Sequence, residues 1–198
     1  MIFGFHGCDE SVACDVINHK TDLKESNNKF DWLGHGIYFW ENSPARALEY
    51  AIFLNQNPKR AVTPILKPAV IGAVIDLGYC FDLLDYDMLK LMKSGFEIFK
   101  TGFEKTGRKL PENISIGQPD DLLKRELDCA VIETMHDSRK IMSLQPFDSV
   151  RGVFWEGGSL YPSAGFREKN HIQICLRNPN CIKGLFVPRE LNGKYNKV

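Results

Sequence analysis

The stretch Gly34-His35-Gly36-Ile37-Tyr38-Phe39-Trp40, followed by Glu41-Asn42-Ser43-Pro44 and Ala45 to Ala51, leaves the backbone few choices. Gly34 and Gly36 permit positive φ or a close approach of chains. Ile37 to Trp40 is a short aromatic run that favours a strand. Ser43-Pro44 reads as a helix start, with serine at the N-cap and proline at the first helical position. Ala47, Tyr50, Phe53 and Leu54 then recur at helical spacing. The unit is turn, strand, turn, helix. It carries one tyrosine on the strand and a second one helix later, which together can form a flat aromatic slot.

Other features bound the function. With 198 residues the chain can bury one good core, and 43% hydrophobic content suits a globular protein. Lys plus Arg and Asp plus Glu both number 25. This balance argues against a strong, unspecific hold on nucleic acid, while leaving room for a local patch. No apolar run reaches membrane-spanning length and no leader pattern opens the chain, so a cytoplasmic location without membrane contact is expected. The six cysteines (Cys8, Cys14, Cys80, Cys129, Cys175, Cys181) lack metal or redox spacing and are expected to be reduced and mostly buried. The five histidines show no metal-ligand spacing.

Taken in order, Met1 to Phe5 reads as a strand delivering His6-Gly7 at its end, and Ser11 to His19 as a helix. Residues 22 to 31 are a polar loop, and 56 to 67 a mobile one with Pro58 and Pro64. Val70 to Leu77 is an apolar run rich in β-branched residues, expected as a central strand buried on both faces. Tyr86 to Lys105 forms an amphipathic helix. A loop follows from Thr106 to Pro119, and then a helix capped by Asp120 or Asp121 running to about Met135. Strands return at Val150 to Trp155, His171 to Leu176 and Lys183 to Val187. We expect one α+β domain over 1–191, with 85–140 as a helical insertion or flanking lobe and 192–198 as a polar tail.

Brought together, these residues can bind a particular ligand. A glycine such as Gly7 or Gly36 exposes backbone N–H and C=O groups that can hold a carboxamide. The His6 imidazole can hydrogen-bond a ribose hydroxyl. Tyr38 and Tyr50 can bracket a planar cation, worth roughly 1–2 kcal/mol. A carboxamide on a cationic ring joined to ribose is the nicotinamide end of NAD. There is no glycine-rich phosphate loop after a strand, so NAD is expected as a substrate and not as a hydride carrier.

His6-Gly7 and Gly34-x-Gly36-Ile37-Tyr38-Phe39, followed by a helix carrying Tyr50, resemble the NAD-binding core of ADP-ribosyltransferases of the diphtheria-toxin and poly-ADP-ribose-polymerase class, whose triad is His, Tyr, Glu. The resemblance implies two facing, mainly antiparallel sheets with helices outside and NAD between them. It implies His6 on the adenosine ribose, Gly7 on the nicotinamide amide, and Tyr38 and Tyr50 on the ring, with Gly36 and Phe39 in the same binding segment. The chain departs from the pattern at the third position. Spacing to the last strand puts Gln173 where the family has glutamate, and the nearest acid is Glu168. Gln173 can accept the ribose hydroxyl through its carbonyl but brings no charge, so either Gln173 or Glu168 steadies the ribose, or the site is inert.

Two residues near this position are set aside: His171 as structural, on the face opposite Gln173, and His35 as solvated. Asp128 and Glu133 read as a solvated helix face, and Trp40, Trp155 and Phe166 as core, with Trp32 as a possible pocket wall. The resemblance implies NAD-dependent transfer of a single ADP-ribose unit to a macromolecule, protein or nucleic acid, with release of nicotinamide. By analogy with toxins of defence modules it implies an antitoxin or inhibitor partner. The alternatives are an NAD or ADP-ribose binding module without chemistry, and an RNA 2′-phosphotransferase, which wants a more basic cleft.

Overall fold

A computed structural model describes residues 1–116, 122–190 and 192–195. Seven strands form one mixed sheet. They are β1 (Ile2–Asp9), β2 (Ile37–Glu41), β3 (Pro68–Ile75), β4 (Cys80–Asp82), β7 (Ser149–Phe154), β8 (His171–Leu176) and β9 (Ile182–Phe186). Their order is β4-β7-β8-β2-β1-β3-β9, and all neighbours are antiparallel except β4 and β7. A two-stranded ribbon, β5 (Asn113–Ser115) with β6 (Leu122–Arg125), stands apart. The helices are α1 (Glu10–Ile17), α2 (Pro44–Gln56), α3 (Tyr86–Thr106) and α4 (Glu126–Ile141). The architecture is α+β, as expected.

The expectation of two facing sheets is corrected to a single seven-stranded one, because hydrogen bonding continues from β8 through β2 to β1. The β1–β2 ladder is nevertheless short. Only Gly4 with Glu41 and Phe5 with Trp40 pair, whereas β1 pairs with β3 over its whole length, from Ile2 with Ile75 to Asp9 with Pro68. Beyond Phe5 the two strands part. His6 and Gly7 therefore lie in mid-strand rather than at the strand end, with β3 on one side and an opening on the other.

Strand alternation divides the core. One face carries Cys8, Ile37, Phe39, Ile71, Ala73, Ile75, Ile174 and Leu176 against α1 residues Ala13 and Val16. The other carries Val150, Phe154 and Cys175 against Trp32, Leu33, Ile132 and Met135. On this second face α2 lies over β1 and β3, and α4 packs toward β7 and β8.

Local chemistry fixes the elements. Asp9 ends β1, caps α1 by accepting the Ser11 N–H at 2.9 Å, and accepts Leu66 and Lys67 N–H at 2.7 and 2.9 Å. Asn55 adds a bond to Ile65 O at 2.8 Å, so the 56–67 loop is tethered rather than mobile. Asp85 caps α3, and Gly107 closes it at φ 65. Ser43 makes no side-chain cap on α2, leaving Pro44 as the start signal. β3 is flanked by β1 and the edge strand β9, so it is one strand from the edge rather than central. The loop expected over 106–119 contains β5, and α4 begins at Glu126, its first N–H groups at Leu127 and Asp128 taken by Asn113 Oδ1, and runs to Ile141, past Met135. The expected caps Asp120 and Asp121 lie outside the described residues. All six cysteines are free thiols, with Cys8, Cys129, Cys175 and Cys181 buried. Among the described residues, no helix is long and apolar enough to cross a membrane.

Candidate active site

The sheet order sets β8, β2 and β1 side by side, so Gln173, Tyr38 and the His6-Gly7 pair lie on neighbouring strands though distant in sequence; Gln173, Tyr38 and Gly7 share the α2 face, whereas the His6 ring lies on the other face, edge-on to Phe39 at 5.9 Å. Where the β1–β2 ladder stops, the His6 side chain replaces it: Nδ1 lies 2.8 Å from the Tyr38 carbonyl oxygen. A carbonyl only accepts, so Nδ1 carries the proton and Nε2 keeps a lone pair. Burial lowers the imidazole pKa, partly offset by this bond, so His6 is neutral at pH 7. Among the described residues Nε2 has no partner, so it is available to accept a hydrogen bond from a ligand hydroxyl.

Gly7 faces α2. A Cβ there would lie 2.1 Å from Ala47 O, so only glycine lets the helix come this close. Tyr38 is held by its hydroxyl, which donates to Gly34 O at 2.8 Å and accepts from Leu33 N at 3.0 Å. Burial raises its pKa, and the Cys175 and Asp31 groups add to the rise, so the phenol stays protonated. Asp31 is itself buried and accepts the Asn28 N–H at 2.7 Å. Tyr50 is 41% exposed and leans on Trp40 at 5.1 Å and on Phe53 at 6.4 Å, rather than on Tyr38.

Several expected binding residues serve the fold instead. Phe39 has no exposed surface and packs under Gly4 in the core, so its ring does not line the groove. Gly36 exchanges both backbone bonds with Ser26, at 3.0 and 2.8 Å, and a Cβ there would meet Leu176 O at 2.4 Å. It is a packing glycine and not a carboxamide site. Glu168 is exposed and accepts the Gly158 N–H at 3.2 Å, closing its own loop. Gln173 points to the groove face, but its Oε1 already accepts the Trp32 indole N–H at 2.6 Å. That bond assigns the amide orientation, leaving the NH₂ donors and the second lone pair of the oxygen. Trp32 itself is a buried back wall, edge-on to Phe154 at 4.8 Å and beneath the Arg125 guanidinium at 4.9 Å.

Three residues set aside on sequence grounds require correction. His171 shares a face with Gln173, because residues two apart on a strand point the same way. Its ring stacks on Phe154 at 5.3 Å and lies 6.2 Å from Trp40. Glu133 is not a solvated helix residue: Oε1 accepts the His35 N–H at 2.8 Å and an Arg177 bond at 2.5 Å. Asp128 accepts from Asn113 at 2.8 Å. Trp155 and Phe166, expected in the core, are 46% and 64% exposed. Among the described residues, no group of three or more His, Cys, Asp or Glu could hold a metal ion.

Comparison with known proteins finds a distant relative. The chain is 26% identical over 200 residues to an uncharacterized protein of Methanocaldococcus jannaschii, covering 91% of this chain and 84% of that one. No family model matches the chain, and no solved structure matches it.

Proposed function

We propose that this chain is an NAD-dependent mono-ADP-ribosyltransferase that moves one ADP-ribose unit to a macromolecular acceptor and releases nicotinamide. The observation that carries the proposal is the parting of β1 from β2 after Phe5 and Trp40, with a neutral His6 held on Tyr38 O and its Nε2 lone pair left over. A ribose hydroxyl can donate to that lone pair. The Tyr38 ring lies beside the opening, and Tyr50 projects from α2 over the same face. Together they offer apolar, electron-rich surface to a nicotinamide cation. Gly7 supplies backbone next to them. The Gln173 amide offers its polar group to a ribose hydroxyl and places no charge there.

The test is incubation of the protein with labelled NAD and cell extract. Wild type transfers label and releases nicotinamide, and His6→Ala lowers both by about 10²-fold or more, as expected for removal of one aimed polar group. No transfer and no nicotinamide release by wild type would end the enzyme proposal.

A second function is favoured by two observations, the Gln173 oxygen committed to Trp32 and Glu168 committed to Gly158. It is a module that binds NAD or ADP-ribose without turnover. Calorimetry beside the turnover assay separates the two, since tight binding without nicotinamide release identifies the module.

A further inference from the structure

At the α2 ends of β2 and β8, three buried polar atoms have no hydrogen-bond partner among the described residues: Trp40 Nε1, Arg46 Nε and His171 Nε2. Unpaired buried polar groups are costly and rare, so three around one corner point to a ligand. Trp40 and His171 are 5% and 9% exposed, and their rings lie 6.2 Å apart.

The chemistry of the corner selects the ligand group. The surrounding charges are already matched: Arg46 pairs with Glu49 and with Glu156, and Lys169 pairs with Glu49 at 2.7 Å. A phosphate would find no uncompensated cation here. The two nearest unpaired atoms are of opposite kinds. His171 Nδ1 lies 2.6 Å from Lys169 O, which only accepts, so Nδ1 holds the proton and Nε2 is an acceptor. Burial pushes the imidazole pKa down to about 4, which keeps it neutral. The Trp40 indole can only donate. An acceptor beside a donor in a charge-balanced pocket suits a hydroxyl, which both donates and accepts.

We propose that His171 Nε2 and Trp40 Nε1 form a hydroxyl-binding pair that holds a hydroxyl of the nicotinamide ribose of NAD, making His171 rather than Gln173 or Glu168 the third catalytic residue. This rests on the ADP-ribosyl transfer proposed above. Trp40 lies two residues beyond Tyr38 on the same face, about 7 Å along the strand, so a ring held at Tyr38 sets its ribose near the pair. When the C1′–N bond breaks, its electron pair leaves with nicotinamide, which becomes neutral, and positive charge develops on the ribose until a lone pair of the acceptor forms the new bond at C1′ and the acceptor's proton passes to solvent. The neutral imidazole, accepting the hydroxyl proton in a hydrogen bond, makes that oxygen more negative beside the new charge. No proton is transferred to the imidazole, which stays neutral. Access is through Tyr50, the exposed ring on Trp40, and through a cleft of about 390 Å³ at the strand ends that His171 and Asn170 line. Rotation of Tyr50 off the indole opens the pair.

The experiment is imidazole and indole ¹⁵N NMR of the wild-type protein titrated with ADP-ribose, with calorimetry on the same samples. The expected result is a shielding shift of His171 Nε2 together with movement of the Trp40 indole signal, at the concentrations where calorimetry shows binding. Binding that shifts His6 but leaves His171 and Trp40 unmoved overturns the pair while sparing the proposed function. No binding of ADP-ribose or NAD overturns both. In turnover, His171→Ala and the milder His171→Gln should lower kcat by about 10²-fold and about 10-fold respectively, with NAD affinity changed less than about threefold. Equal kcat in wild type and a folded His171→Gln variant also overturns the pair.

Discussion

Two polar clusters flank the groove face, and they differ in how fully their groups are paired. At the Gly34 turn, Cys129 Sγ lies 3.9 Å from His35 Nε2, and His35 Nδ1 lies 3.6 Å from Glu133 Oε2. By order alone this is a thiol, an imidazole and a carboxylate. Yet Glu133 is bound by the His35 N–H and by Arg177, Arg177 also donates to His35 O at 3.1 Å, and Cys129 Sγ sits 3.6 Å from Asn28 O. At the Trp40–His171 corner, by contrast, buried polar atoms are left over. Saturated polar clusters hold a fold together, whereas residual hydrogen-bonding capacity in a buried place waits for a ligand. Residue types that look catalytic are therefore less informative than the bonds they leave unmade.

The largest effect expected from this contrast is in thiol reactivity. Burial pushes the Cys129 pKa up to about 12, with Glu133 and Asp31 adding to the rise. At pH 8 its thiolate fraction is about 10⁻⁴, and the thiol is covered as well. Cys129 should alkylate with iodoacetamide at least about 10³-fold more slowly than the exposed Cys14, read by mass spectrometry of the native protein. Comparable rates would make the Gly34 cluster a reactive site and erase the contrast.

Next comes stability. Glu133→Ala strands Arg177 and the His35 N–H, and should cost about 2–3 kcal/mol in denaturant unfolding while leaving nicotinamide release per folded molecule unchanged. Burial alone would raise the Glu133 pKa, but Arg177 and the His35 N–H overcome it and hold the carboxyl below its ordinary 4.5. A depressed carboxyl pKa stabilises the fold fully above the unfolded value, and that contribution is lost as pH falls through the folded value. Unfolding measured from pH 6 down to pH 3 should show this loss in wild type, and Glu133→Gln should lack that part of the decline.

Smaller effects are expected on the other side of the groove. Gln173→Glu keeps an oxygen for the Trp32 N–H and gains a charge facing the groove, so nicotinamide release should stay level or rise by up to about tenfold. Glu168→Ala removes only a bond within an exposed loop, and should change turnover by less than about twofold and stability by less than about 0.5 kcal/mol. A larger loss in Glu168→Ala than in Gln173→Ala would identify Glu168 as the acid of the site.

What the sequence made legible was local. Gly34 to Ala51 carries its signals within a few residues of one another, and its strand and helix lie where glycine, aromatic and proline rules place them. β5, β6 and the short β4 were missed because each is only three or four residues long and is fixed by its partner rather than by its own pattern. Phe39 looked like a ligand contact because its neighbours in sequence do, yet alternation sends it into the core. The same period of two puts His171 on the Gln173 face. Nothing in the sequence announced that Trp32 would occupy the Gln173 oxygen, a bond spanning 141 residues. Such contacts depend on the packed sheet and have no local sequence signature.

The brevity of the β1–β2 ladder has a mechanical consequence. Its two rungs join a plate of four strands to a plate of three, each built on longer or multiple ladders. A body so constructed bends at its narrowest weld. The imidazole of His6, reaching across to Tyr38 O, is a latch at that weld, and it is made of a side chain that can let go where a backbone rung cannot. The plates still share one apolar core, so a molecule wedged into the opening would meet that side-chain latch before it met a backbone rung.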